Sequence, residues 1–377
     1  MFFKAHDAEE PPAPAPINRK DTTMITLLSP DNNVEISLKT DLLKEFERRE
    51  RAGLHRLGDD SYKWMGEGDT YIVSGRVLNA PVSVFFKWHT DDPTKPMNFD
   101  LSLCPDFSTD KAGYGKCATV GEPIASHEGN GIYYLRAENL LSGKTYYWRV
   151  RDGSADPEIR SFTTPKGEFR TIRVDKIENV RDIGGWKTDS GKFVKQGMFY
   201  RGPAFGKHFT MNLWKVFMED LGIKTEIDLR LEAVGTETGT TLGPLCNYLQ
   251  IPTREYHDVL EKFSAEGIKR IFDLLADPAT YPVYVHCAAG ADRTGTIAFL
   301  LEAALGLSQE DIEFEYNLTA ASYDTPNFSR YRVRGFLDAM EKLHPGTTVR
   351  EKMLCCLHDT GVTDETIMKI RQILLED

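Results

Sequence analysis

The stretch Val283-Tyr-Val-His-Cys-Ala-Ala-Gly-Ala-Asp-Arg-Thr-Gly295 is where this sequence concentrates groups able to do covalent chemistry. An apolar strand is expected to end at His286, a loop of small residues to follow, and a helix to start near Arg293. A loop of that kind aims backbone N–H groups and the positive end of a helix at one point, which makes a site for a tetrahedral anion such as phosphate. Cys287 lies at its base, and those donors together with a guanidinium favour thiolate over thiol. The thiolate is then a nucleophile at neutral pH without a separate base. Five residues separate Cys287 from Arg293, enough to wrap one dianion, and the planar fork of Arg293 can hold two of its oxygens. Ala288, Ala289 and Ala291 leave room for closure, and Gly290 permits a positive φ at the turn. Thr294 is placed to donate its hydroxyl to the Cys287 sulfur.

The elements that must position this loop follow from pattern. From Thr22 to about Thr164 the chain shows short alternating segments such as Val82–Trp88, Asn98–Leu103, Gly131–Leu135 and Thr145–Val150, which read as half-buried strands of an antiparallel sandwich. Asp41–Glu50 reads as a charged helical insertion between the first of them. After Pro165-Lys-Gly-Glu168 the period changes. Short apolar strands (Lys224–Leu229, Val283–His286) alternate with helical stretches (Ile268–Leu275, Thr296–Leu305), as in an α/β domain with a central, largely parallel sheet flanked by helices. Ser308 and Thr363 read as N-caps of C-terminal helices, the last with Ile367, Ile370 and Leu374 on one face. The expected organisation is a Pro-rich linker over 1–21, a sandwich over 22–165 and the α/β domain over 169–377.

Composition excludes several classes. The chain has 377 residues, 41% hydrophobic and 27% charged, which suits a soluble two-domain protein. A net charge of −11, with 21 Lys+Arg against 26 Asp+Glu up to Glu168 and 25 against 31 beyond it, gives no basic face for a nucleic acid. No run approaches the roughly 18 uncharged apolar residues of a membrane span. Six cysteines make neither a disulfide scaffold nor a zinc pattern. Cys104 and Cys117, 13 apart, stand where a bridge can form, and two buried thiols are the alternative. Residues 1–20 contain no signal-peptide core, yet a chain that opens with a linker is consistent with a leader removed upstream. The scattered histidines His6, His55, His89 and His127 read as structural, and Trp64, Tyr71 and Trp88 as sandwich core.

Two resemblances add to this reading. Leu28-Ser-Pro30, Leu141–Val150 and Ser161-Phe-Thr-Thr164 resemble the opening, the turn with penultimate strand, and the last strand of a fibronectin type III domain. The His-Cys, five residues, Arg, Thr, Gly pattern resembles the signature loop of cysteine-dependent protein tyrosine phosphatases. Asn179-Val-Arg-Asp-Ile-Gly-Gly185, Gly197-Met-Phe-Tyr-Arg201, Ile227-Asp-Leu-Arg230 followed by Glu232, and Gly290–Gly295 resemble the bacterial branch of that family, which includes secreted and lipid-phosphate-active members. Two departures stand out. Ala291 occupies the position of a customary lysine, and Arg201 is followed by Gly202-Pro203 instead of serine.

The resemblance implies a protein-tyrosine phosphatase working through a phosphocysteine, with Cys287 as nucleophile and Arg293 and the amides of Ala288–Arg293 on the phosphate. It places the general acid in the loop, hence Asp292, with Asp228 at a strand end as second choice. Asp292 paired with Arg181, merely bracing the loop, is the bland alternative. Asp182 reads as a partner of its own turn, and His286 as hydrogen-bonding within the loop to orient Cys287. The substrate expected is a phosphotyrosine protein or small phosphomonoester, the product inorganic phosphate, with no metal or cofactor. A dual-specificity enzyme, an inositol-phosphate or phosphoinositide phosphatase, and an inert binding module remain alternatives. The N-terminal domain is a candidate contact for a partner or glycan. Accessory domains of this kind point to an extracytoplasmic bacterial protein, with a cytoplasmic one as the alternative.

Overall fold

The computed structural model describes residues 24–52, 81–108, 119–120, 122–125, 130–153, 156–206, 210–231, 240–322, 331–344 and 348–376. The 1–21 linker, Trp64, Tyr71 and Glu232 lie outside them, as does Cys117, and with it the Cys104–Cys117 bridge.

Among the described residues the N-terminal half forms two β-sheets. The first joins β1 (Ile25–Ser29) through β3 (Val84–Thr90) and β7 (Ile132–Glu138) to β5 (Thr119–Val120), with β6 (Ile124–Ala125) also on β7. The second runs in the order β2 (Val34–Glu35), β9 (Ile159–Thr163), β8 (Thr145–Arg151), β4 (Asn98–Ser102). Alternate side chains of the two sheets meet in one core that includes Phe86, Trp88, Tyr146, Trp148 and Phe162. The Tyr146 hydroxyl accepts a 2.8 Å hydrogen bond from the Leu141 backbone, which fixes the corner leading into β8.

Helix α1 (Asp41–Arg51) forms where the sequence suggests one, capped by the Thr40 hydroxyl on Leu43 N–H. It does not pack as an insertion in the sandwich. Leu43 and Phe46 enter the core of the C-terminal half, Arg51 pairs with Glu310 and Asp311, and Asn317 donates to Glu50. The reason is amphipathicity: Leu43, Phe46 and Glu50 recur at helical spacing, and the helix buries that stripe against Phe314 and the core of the C-terminal half.

Among the described residues the C-terminal half is built on a six-stranded sheet. In chain order come β10 (Arg170–Thr171), β11 (Arg181–Asp182), β12 (Phe199–Pro203), a short helix α2 (Met211–Trp214), β13 (Thr225–Asp228), β14 (Asn247–Gln250), α3 (Lys262–Leu275) and β15 (Val283–Cys287). Helices α4 (Asp292–Leu305), α5 (Gln309–Ser322), α6 (Tyr331–Leu343), α7 (Val349–Asp359) and α8 (Asp364–Leu374) complete it. Strands lie in the order β10-β11-β12-β15-β13-β14, the last four parallel and the first two antiparallel additions at the edge. β15 is buried along its whole length, which is why it reads as a continuous apolar run. Ser308 and Thr363 accept from the first turns of α5 and α8, and Ile367, Ile370 and Leu374 are buried.

The halves are stitched by buried polar groups. Arg170 donates to the carbonyls of Asn139 and Leu140 and to Asp182 and Tyr200. Glu168 accepts from Ser37 and from Leu38 N–H, and Gln196 exchanges two hydrogen bonds with the Ser142 backbone. No helix among the described residues is long and apolar enough to cross a membrane.

Candidate active site

Parallel strands deliver their carboxyl ends to one edge, and the loop after β15 opens there. Cys287 is the last residue of β15 and Asp292 the first of α4, so Ala288–Ala291 make the turn between them. Gly290 takes φ +66°, and a Cβ there would stand 2.3 Å from the Gly202 carbonyl carbon, so only glycine fits. Gly202 and Pro203 are the end of β12, paired with His286 and Cys287; the departure after Arg201 thus continues the strand and lies directly against the loop.

Three carbonyls of the loop are drawn outward. Ala204 N–H donates to the Cys287 carbonyl at 2.7 Å, Asn179 Nδ2 to the Ala289 carbonyl at 3.0 Å, and Arg201 Nη2 to the Gly290 carbonyl at 2.9 Å. In a trans peptide the carbonyl and the following N–H point opposite ways. The N–H groups of Ala288, Gly290 and Ala291 are therefore turned away from those anchors. The first-turn N–H groups of α4 add the helix's positive end.

The anchors are themselves fixed by Glu315 on α5. Its carboxylate takes Arg181 Nε on one oxygen and Arg201 Nη1 on the other, both at 2.6 Å, while Arg181 also donates to Asn179, the Glu315 carbonyl and Thr319. Burial raises the Glu315 carboxyl, but the two guanidiniums outweigh it and hold it below the usual carboxylate range. Gly295 lets α4 and α5 approach: a Cβ there would lie 2.7 Å from the Tyr316 ring and 3.2 Å from Arg201 Nη2. Glu302, on α4, is fully buried, and neither carboxylate oxygen has a hydrogen-bond partner among the described residues. Burial, then the charge of Glu315, pushes its carboxyl well above normal, so it stays protonated.

The structure places Cys287 at the end of β15 and Asp292 and Arg293 in the first turn of α4, on either side of the Ala288–Ala291 turn, and revises several partnerships. Arg181 serves Glu315, not Asp292. Asp292 Oδ1 instead accepts a 2.5 Å hydrogen bond from the Tyr256 hydroxyl. His286 does not bond within the loop; its register partner on the neighbouring parallel strand β13 is Asp228, and its Nε2 lies 2.8 Å from Oε1 of Glu226, two residues back along that strand. The buried Thr294 hydroxyl has no hydrogen-bond partner among the described residues, so it does not donate to the sulfur. Arg293 Nη1 reaches the Leu229 carbonyl at 3.5 Å, and its Nε lies 3.9 Å from Glu255. Asp228 is clamped by the Arg230 side chain and backbone and by the Tyr248 hydroxyl. Burial raises its carboxyl, but Arg230, with His286 nearby, brings it net below the normal range, an arrangement that suits a fixed anion. Asp182 accepts from Gly184 N–H in its own turn and also from Gly197 N–H and Arg170. Among the described residues no cluster of His, Cys, Asp and Glu is placed to hold a metal ion.

Sequence reasoning did not find Glu315, Tyr256, Tyr316 or Glu226. One signal was available: Glu315 sits among Ile312, Phe314, Tyr316 and Leu318, an acid in an apolar stretch.

A sequence profile of the tyrosine phosphatase family matches residues 172–360, which is half the chain and contains the whole loop with its anchors. The chain belongs to the tyrosine phosphatase family. A Cupriavidus necator protein, provisionally named a tyrosine-protein phosphatase, is 29% identical over 171 residues, covering 38% of this chain. The match spans 61% of that relative's length. Among solved structures, the core catalytic domain of the S. cerevisiae PP-IP phosphatase SIW14, in complex with citrate, is 17% identical, covering 39% of this chain and 86% of that one at a TM-score of 0.27. The family profile leaves the N-terminal sheets unassigned.

Proposed function

We propose that the protein hydrolyses phosphotyrosine in proteins through a phosphocysteine intermediate. The observation that carries this reading is the seat of Cys287: a buried thiol at a strand end, under a loop whose carbonyls are pinned outward, with Arg293 and Asp292 opening the next helix. In the first step the Cys287 sulfur attacks phosphorus, the S–P bond forms and the P–O bond to tyrosine breaks. Asp292 gives its proton to the leaving phenolate. In the second step a water loses a proton to Asp292 and displaces the sulfur, releasing inorganic phosphate and regenerating the thiolate. The loop amides and Arg293 hold the equatorial oxygens, and losing one such donor typically costs on the order of 10² to 10³ in rate. Asp228, locked to Arg230 and Tyr248, is better suited to shaping the strand end than to carrying a transferable proton.

The rim supports a singly phosphorylated substrate over an inositol phosphate. Ala291 adds no cation, and the Glu255 carboxylate lies beside Arg293, where it would repel a second phosphate. Hydrolysis of p-nitrophenyl phosphate by the wild type but not by Cys287→Ser is the expected result, and equal rates would refute an enzyme in favour of an inert binding module. Phosphotyrosyl peptides should then be cleaved faster than phosphoseryl peptides or inositol phosphates; the reverse order would reassign the substrate.

Residues 22–165 read as a fibronectin type III-like accessory domain. Support comes from the paired sheets and from the corner tyrosine Tyr146, which bonds back to the chain just before its strand. The catalytic domain then spans 169–377, with α1 contributed to its core from the other side of that boundary.

A further inference from the structure

Tyr256 is an unusual residue to find beside a catalytic loop. It adopts φ +55°, a left-handed conformation that a bulky side chain keeps only where its surroundings hold it. Here three contacts hold it. Its N–H donates to Thr296 Oγ1 at 3.0 Å, and that hydroxyl donates to the Asp292 carbonyl at 2.9 Å, so backbone and helix start are tied together. Its ring packs on Phe336 with centroids 6.0 Å apart. Its hydroxyl lies 2.5 Å from both Asp292 Oδ1 and the Tyr316 hydroxyl.

Counting hydrogens orders this chain. Burial first, then Tyr316 and Asp292, raises the Tyr256 phenol, so it keeps its one proton. With that hydrogen given to Asp292 Oδ1, the contact with Tyr316 requires Tyr316 to be the donor. Each oxygen thus accepts from the one behind it, and the sequence of donors ends on Asp292. A carboxyl oxygen that carries its own proton is a poor acceptor, so the oxygen capped by Tyr256 is the unprotonated one.

We infer that Tyr256, supported by Tyr316, is a positioning residue that caps Asp292 Oδ1 and assigns proton transfer to Oδ2. This rests on the reading of Asp292 as general acid. When the S–P bond forms and the P–O bond breaks, the Oδ2–H proton passes to the leaving oxygen and Asp292 becomes a carboxylate. The hydrogen bond from Tyr256 then faces full negative charge and strengthens. It therefore stabilises the transition state more than the bound substrate, which is the condition for accelerating chemistry. In the second step the same bond holds Oδ1 while Oδ2 takes a proton from water. Helix α5, which braces the loop through Glu315, also contributes the next residue, Tyr316, to the chain that ends on the acid, so one helix supports both the phosphate cradle and the proton donor.

The test uses the full chain with aryl phosphates running from p-nitrophenyl, a leaving group that needs little protonation, to phenyl, which needs it most. Asp292→Asn should steepen the dependence of kcat/KM on the leaving group; a flat response would overturn the acid assignment and this inference with it. Tyr256→Phe keeps the ring and the packing on Phe336. It should lower kcat/KM for phenyl phosphate roughly 10- to 100-fold, the scale of a hydrogen bond to a charged group, with little change for p-nitrophenyl phosphate or in KM. In the Asp292→Asn background it should cost nothing further. Tyr316→Phe should show a weaker version of the same pattern, and serves if Tyr256→Phe folds poorly. A steep Asp292→Asn series combined with an equal loss on every substrate for Tyr256→Phe, or with losses that add to those of Asp292→Asn, would leave the acid standing and overturn the role of Tyr256.

Discussion

Replacing Glu315 by glutamine tests the brace behind the loop. The wild-type carboxylate pairs with two guanidiniums at 2.6 Å each, one on each oxygen, and Arg201, Arg181 and Glu315 are all essentially shielded from water. Glutamine keeps the volume but offers one neutral oxygen, and its amide group must face an arginine donor. Breaking a buried ion pair from one side costs about 3–5 kcal/mol, because the remaining charge stays buried without a partner. For a domain of this size each kcal/mol moves Tm by about 2–4 °C, so a fall of roughly 6–20 °C is expected by calorimetry. Activity should fall separately. Arg201 holds the Gly290 carbonyl, and Arg181 holds Asn179, which holds the Ala289 carbonyl. Loosening both anchors releases the Gly290 and Ala291 N–H groups from their fixed direction, for an expected drop of about 10² in kcat/KM measured well below the new Tm. Glu302 supplies an internal control. It is buried near the same arginines and protonated in part because Glu315 is ionised. With Glu315 neutral, Glu302 becomes the nearest substitute anion, so Glu302→Gln in the Glu315→Gln background should destabilise, although it should stabilise the wild type. A Glu315→Gln protein with Tm unchanged and kcat/KM within twofold of wild type would refute the brace. A double variant whose Tm change equals the sum of the single changes would refute the exchange of charge.

In the wild type, Glu302→Gln should raise Tm at neutral pH. The folded-state carboxyl is raised above its unfolded value of 4.5, so its contribution is present in full below that pH and is lost as pH rises toward the folded value. The Tm gap between variant and wild type should accordingly vanish near pH 4 and widen toward pH 8; a gap independent of pH would show that Glu302 is not held neutral. Glu315 carries the opposite sign: its folded value is depressed, so its stabilisation is present above 4.5 and lost as pH falls further. Phe46→Ala should cost about 3–5 kcal/mol, the usual loss for a buried phenylalanine. Because Phe46 packs on Phe314 of α5 with ring centroids 6.1 Å apart, the Tm of the catalytic domain should drop, and a drop confined to the N-terminal sheets would contradict the packing of α1.

The resemblance reached the family because the loop from Cys287 to Arg293 is contiguous: its strand, turn and helix are fixed by neighbouring residues, and their types are read directly. Helix caps at Ser308 and Thr363 were legible for the same reason, since a cap bonds within its own first turn. Partnerships across the sheet were not. His286 reaches Glu226 because β15 lies beside β13, with Asp228 as its register partner and Glu226 two residues back, and no local pattern encodes which strand lies next to which. Asp182 was read as a partner of its own turn, and it also meets Arg170 and Gly197 from elsewhere in the chain.

Taken alone, the amino-acid order determined the two architectures, the position of the thiol under its loop, and the glycine that the turn requires. Those are properties of short segments, set by periodicity, φ and sterics. Tertiary structure decided which charges meet: that Glu315 holds Arg181 and Arg201, that Tyr256 holds Asp292, and that α1 belongs to the catalytic core. Each of these is a contact between distant segments, and burial gives it its energy by removing water from charges and apolar faces that a linear reading still sees as solvated.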